Sequence, residues 1–119
     1  MNEVQRFWNE QGEWSQKTFG LDKERGPLGS LKHLEKEARE AQNAVSLAVD
    51  RGGDFLERVE VEIADCLFLT FDAARRAGMS LDSLIDTCFR KLEINKTRKW
   101  GVSKPGEAVE HIREKHETN

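Results

Sequence analysis

At 119 residues and 13.6 kDa the chain has the length of a single domain, residues 1–119. Charged residues make up 34% against 37% apolar, and the mean hydropathy is −0.71, so either long helix faces stay solvated or part of the core forms between copies of the chain. A net charge of −3 argues against a nonspecific nucleic-acid coat, and the richest apolar stretch, residues 63–71, is too short for a membrane span and contains Asp65.

The N-terminus, MNEVQRFWNEQ, lacks the basic region and apolar core of a signal peptide. A first helix is expected over 2–18, with Val4, Phe7, Trp8 and Trp14 apolar and Gly12 weakening it. Gly26-Pro27-Leu28-Gly29-Ser30 breaks the chain. A second helix then spans 30–50 with Ser30 as N-cap. Its apolar positions Leu31, Leu34, Ala38, Ala41, Val45 and Ala48 step alternately by three and four, a seam of the kind found in antiparallel bundles. After Arg51-Gly52-Gly53-Asp54 a third helix covers 54–77. Past Gly78-Met79-Ser80, a fourth starts at a Ser80 cap, carries Leu81, Leu84, Ile85, Cys88, Phe89 and Leu92, and reaches about residue 99. The tail beyond Pro105, EAVEHIREKHETN, reads as one more short polar helix or a loose end. No segment alternates as a strand would. Cys66 and Cys88 fall in apolar patterns and read as small buried residues in a reducing compartment. The architecture expected is an all-α, antiparallel bundle of four to five helices that oligomerises.

The third helix reads IADCLFLTF from Ile63, apolar nearly all round, which predicts burial on several sides. Asp65 lies inside this run, and Glu62 is three residues earlier on the same face. A buried carboxylate must be paired, protonated or bound to a metal. Glu37 and Glu40 form a second pair with the same spacing. Antiparallel packing of the two helices would bring all four acids together. Four converging carboxylates repel, and a hard divalent cation is the natural counter-charge, Mg²⁺ or Mn²⁺ rather than zinc. The same spacing also occurs on solvated helix faces, and for Glu37 and Glu40 that reading stays open.

The fourth helix aligns Lys91, Asn95 and Arg98 on one face. Two cations and an amide there suit phosphates, although cations near a helix C-terminus also favour the dipole unaided. Trp14, Phe19 and Trp8 can stack on a base or simply pack, and His33 can hydrogen-bond to the base or phosphate or be a partly exposed helix histidine. Trp100 is expected to pack the helix end.

Glu37-Ala-Arg-Glu40, followed after 21 residues by Glu62-Ile-Ala-Asp65, resembles the Glu-x-x-Glu…Glu-x-x-Asp signature of the all-α MazG-like nucleoside triphosphate pyrophosphohydrolases. Lys91-x-x-x-Asn95-x-x-Arg98 resembles the basic segment that follows it in that family, and the similarity runs from His33 to Trp100. The upstream segment RFWNEQGEWSQKTFG…RGPLGSLKHL is similar to the phage-type dATP/dGTP diphosphohydrolase (MazZ-like) branch. Lys36 departs from the pattern, since many relatives carry an acid there, and it is taken to lie outside the metal shell.

The resemblance implies metal-dependent hydrolysis of a deoxynucleoside triphosphate, dGTP or dATP, to the monophosphate and pyrophosphate. Glu37, Glu40, Glu62 and Asp65 would hold Mg²⁺, or Mn²⁺ in its place, with Glu37 or Glu40 as catalytic base. Lys91, Asn95, Arg98, His33 and Trp14 would bind substrate. It further implies a homodimer or homotetramer, a cytoplasmic location in a bacterial or phage-infected cell, and no membrane or stable nucleic-acid partner. The competing class is a non-catalytic helical regulator that binds a nucleotide or a protein. Asp65 in its apolar run favours the enzyme, because a regulator gains nothing from a buried carboxylate.

Overall fold

The computed structural model describes residues 1–113. Helix α1, Glu3–Phe19, starts one residue later than expected, because Asn2 keeps an extended backbone and acts as its cap. Asn2 Oδ1 accepts from the Gln5 N–H at 2.8 Å. Gly20, at φ 110°, ends the helix. A one-turn helix α2, Asp22–Arg25, follows and was not expected, since four residues carry no readable period.

Helix α3, Leu28–Arg51, begins two residues before the expected start. Pro27 holds its N-cap at φ −85°, close to the value its ring enforces and compatible with a helix start. Ser30 is therefore not a cap. It is buried inside the first turn, where its Oγ accepts from Arg76 Nη1 at 2.5 Å. Gly52 and Gly53, at φ 63° and 57°, form the turn that returns the chain as α4, Asp54–Arg76, packed along α3.

The packed face of α3 carries the fully buried Ser30 and Ala44, with Leu34, Glu37, Ala38, Ala41 and Ala48 half-buried, so four of the six expected seam positions lie on it. Leu31 and Val45 stay half exposed. Ser30, bonded to Arg76, and the small Ala44 are buried one position before each of these two. The aromatic core lies between α1 and α4. The Phe7 ring sits 5.2 Å from Phe68 and 5.5 Å from Phe71, and Trp8 meets Phe71 edge-on at 5.0 Å.

Beside this core lies a buried polar network. Gln11 Nε2 donates to Asp72 Oδ1 at 3.0 Å, and Arg75 donates to Gln11 Oε1, to Asp72 Oδ1 and, at 3.1 Å, to Asp22 Oδ2. These bonds fasten α1 and α2 to α4. Gly12 has a specific role here. A Cβ at that position would lie 2.9 Å from Arg75 Nε, so the weak helix former makes room for the guanidinium.

The described chain forms two compact units, residues 1–81 and 82–113. In the second, α5 spans Leu81–Thr97, directly after Ser80 and two residues shorter than expected. Beyond it, β1 (Lys99–Trp100) pairs antiparallel with β2 (His111–Ile112), Lys99 opposite Ile112 and Trp100 opposite His111. Two-residue strands are too short to show alternation in sequence. They replace the expected tail helix over its described part, and the rest of that tail lies outside the described residues. Trp100 Nε1 donates to the Asn95 carbonyl at 2.8 Å, satisfying a backbone acceptor near the end of α5 as expected of a residue packing there.

Two burial expectations are corrected. Cys88 is exposed, and Cys66 only half-buried. The α4 residues Val61, Ile63 and Leu67, with Phe89, Leu92 and Ile94 on α5, stay exposed in the single chain, which supplies too few helices to cover them. Among the described residues no helix is long and apolar enough to cross a membrane.

Candidate functional site

The helices α1 to α4 enclose a cleft of about 390 Å³. His33 and Glu37 of α3 and Asp65 of α4 line it, as do Ser30, Arg25 and Arg76. Trp14, Phe19 and Phe68 supply an aromatic wall. Trp14 and Phe19 meet edge to face at 5.4 Å, and both are about half exposed. Seven residues separate Ser30 from Glu37, so the Arg76 end and the acidic end are two helical turns apart, roughly 10 Å.

Glu37, Glu40 and Glu62 each bring a carboxylate oxygen to within 4.8 Å of the others. Glu62 Oε2 is buried without a hydrogen-bond partner. Burial pushes the Glu37 carboxyl above its usual range, the hydrogen bond and charge of Glu40 push it further, and Glu62 adds to this. His33, whose Nε2 lies 3.1 Å from Glu37 Oε1, pulls the other way. Burial likewise raises the Cys66 thiol, helped by the charges of Glu37, Asp65 and Glu62. The cluster thus lacks positive charge, holds an unsatisfied buried oxygen and offers only oxygen donors. Those properties fit a hard divalent cation.

Asp65 is not part of the three-carboxylate group. It stands on the cleft wall beside it. Together with His33 and Trp14, these acids belong to the first unit. Lys91, Asn95 and Arg98 belong to the second and are described within it. There Lys91 is exposed, Asn95 and Arg98 are half-buried, and Asn95 Oδ1 has no hydrogen-bond partner.

Sequence reasoning missed Gln11, Ser30, Asp72 and Arg76 as cleft residues. A signal for Asp72 was available. It interrupts an apolar run as Asp65 does, and the adjacent cations Arg75 and Arg76 follow within a turn.

Fold and site together define a small helical protein whose carboxylate cluster reaches an aromatic-walled cleft through Glu37. The sequence pattern of the dATP/dGTP pyrophosphohydrolase family matches residues 7–118, and the chain belongs to that family. The Eaa protein of Salmonella phage P22 is 44% identical over 116 residues, 98% of this chain and 32% of the relative, so this chain spans about a third of that protein's length. No solved structure matches the chain.

Proposed function

We propose that the protein hydrolyses a purine deoxynucleoside triphosphate, dATP or dGTP, to the monophosphate and pyrophosphate with a divalent cation, Mg²⁺ or in its place Mn²⁺. The observation that carries this is the cluster of three carboxylates with an unsatisfied buried oxygen, one of which, Glu37, lines an aromatic cleft, in a chain of this family. Glu37, Glu40 and Glu62 hold the cation, and Asp65 supports them from the cleft wall. A divalent cation there offsets the negative charge of the triphosphate and the charge that develops at phosphorus.

The protein's own groups supply the rest. Glu37 accepts the proton of the attacking water, and His33 Nε2 holds its Oε1 in place. Trp14 stacks on the base, and its exposed face is free to do so. The triphosphate is a cytoplasmic metabolite, so the enzyme acts in a bacterial or phage-infected cytoplasm.

Incubation with dATP, dGTP, dCTP and dUTP plus Mg²⁺, followed by ³¹P NMR, tests this. Deoxynucleoside monophosphate and pyrophosphate in equal amounts are expected from the purine substrates. Diphosphate plus orthophosphate would overturn the proposed bond cleavage.

Lys91, Asn95 and Arg98 are assigned to the phosphates. Lys91→Ala and Arg98→Ala should each raise KM for the triphosphate about tenfold or more, in line with the loss of one charge-assisted contact, with little change in Tm. Loss of fold with undiminished specific activity in the folded fraction would make them structural cations.

The exposed apolar residues on α3, α4 and α5 support a homodimer or homotetramer. Light scattering at assay concentration should give at least twice the 13.6 kDa of one chain. Full activity at the single-chain mass would refute the assembly.

A further inference from the structure

Two arginines end α4, and their surroundings differ. Arg75 is saturated, bonded to Gln11, Asp72 and Asp22. Arg76 is as deeply buried, its side chain 5% exposed, yet poorly satisfied. Nη1 donates to Ser30 Oγ, and Nη2 reaches Ser15 Oγ only at 3.4 Å. Its Nε has no hydrogen-bond partner, and the facing Asp22 Oδ1, 3.8 Å away, has none either. Arg76 thus has a long ion pair with Asp22, a carboxylate that Arg75 already holds, and hydrogen bonds to neutral hydroxyls alone, so a further acceptor would satisfy it better. Arg76 lines the cleft, and helical side chains lean toward the helix N-terminus, here toward Asp65.

We infer that Arg76 is a specificity-determining residue that reads the purine base of the substrate through its N7 edge. This rests on the proposed nucleotide hydrolysis. N7 is an acceptor in both adenine and guanine, and an arginine facing that edge is a common specific contact to guanine. Pyrimidines offer no such atom. The Ser30 hydroxyl stands beside the guanidinium and can either donate or accept. It therefore tolerates guanine O6 and the adenine amino group alike, which accounts for one site accepting both purines. The two-turn separation from the acids sets Arg76 apart from the reacting phosphorus and at the base. The aromatic wall of Trp14, Phe19 and Phe68 lies along the same cleft.

The test compares kcat/KM for dGTP and dATP with that for 7-deaza-dGTP and 7-deaza-dATP, which differ at that ring position. The wild-type enzyme should lose about ten- to a hundredfold on the 7-deaza substrates, the cost of leaving a buried charged donor unpaired. In Arg76→Met, which keeps length without donors, dGTP should fall toward the 7-deaza value and the ratio should approach one. If that variant fails to fold, the wild-type comparison decides alone. Equal wild-type turnover of dGTP and 7-deaza-dGTP overturns the inference and leaves the proposed hydrolysis standing. Undiminished discrimination in folded Arg76→Met overturns the assignment to this residue. No turnover of any triphosphate removes the proposed hydrolysis and the inference with it.

Discussion

Glu62→Gln is expected to lower kcat by at least about a hundredfold at saturating Mg²⁺ while the helical fold persists. Substitutions in the shell that merely orients metal ligands already cost about ten- to a hundredfold, and Glu62 is assigned to the ion itself. Its Oε2 is buried and unsatisfied, so the amide breaks no protein hydrogen bond at that atom. Asp65→Asn should also remove most activity. Stability should move the other way. Burial and the neighbouring Glu40 and Glu62 make Glu37 hold its proton more tightly in the folded chain than in the unfolded one. In chelator its contribution is therefore full below the ordinary carboxylate range and is lost as pH rises through the raised folded value. Tm in chelator should fall across that interval, and Glu62→Gln should reduce the fall by removing one repelling charge. Circular dichroism melts with and without Mg²⁺ check both points. Turnover of Glu62→Gln at the wild-type rate would remove this residue from the site.

Arg75→Leu should cost about 3–5 kcal/mol of stability, a large share of the roughly 5–15 kcal/mol by which a domain is folded. Asp72 has a side chain only 6% exposed and would keep its charge without the guanidinium that compensates it. The bonds from Arg75 to Gln11 on α1 and Asp22 on α2 would go too. Replacing both partners, Arg75→Leu with Asp72→Leu, should restore part of the loss, because Asp72 then strands no charge, while Asp22 and Gln11 still lose their bonds to Arg75. Urea unfolding of the single and double variants measures the difference. If the double variant is as unstable as the single one, the penalty lies in the lost helix-to-helix bonds and not in the stranded charge.

The long helices were legible because Gly and Pro punctuate the chain and helix formers fill the intervals. The register of α3 was less legible. A count of apolar residues favours Leu31 and Val45, which stay exposed, while the packed face includes Ser30, drawn in by its polar partner Arg76 on α4. The approach of Glu37, Glu40 and Glu62 was legible from their spacing, whereas Asp65 stands apart from that group and part of the apolar run around it is exposed. The basic end of the cleft was not legible. Arg76 meets Ser30 across 46 positions of sequence, and no periodicity reports a contact of that range. Gly12 was read as a weak point, since propensity ignores the guanidinium that needs its space.

Titration with Mn²⁺, followed by the electron paramagnetic resonance signal of the free ion, tests the cation site independently of turnover. The wild-type protein should deplete the signal, and Glu37→Gln with Glu62→Gln in one chain should leave it near the protein-free level. Undiminished depletion by a folded double variant would show that the carboxylate cluster is not the cation site.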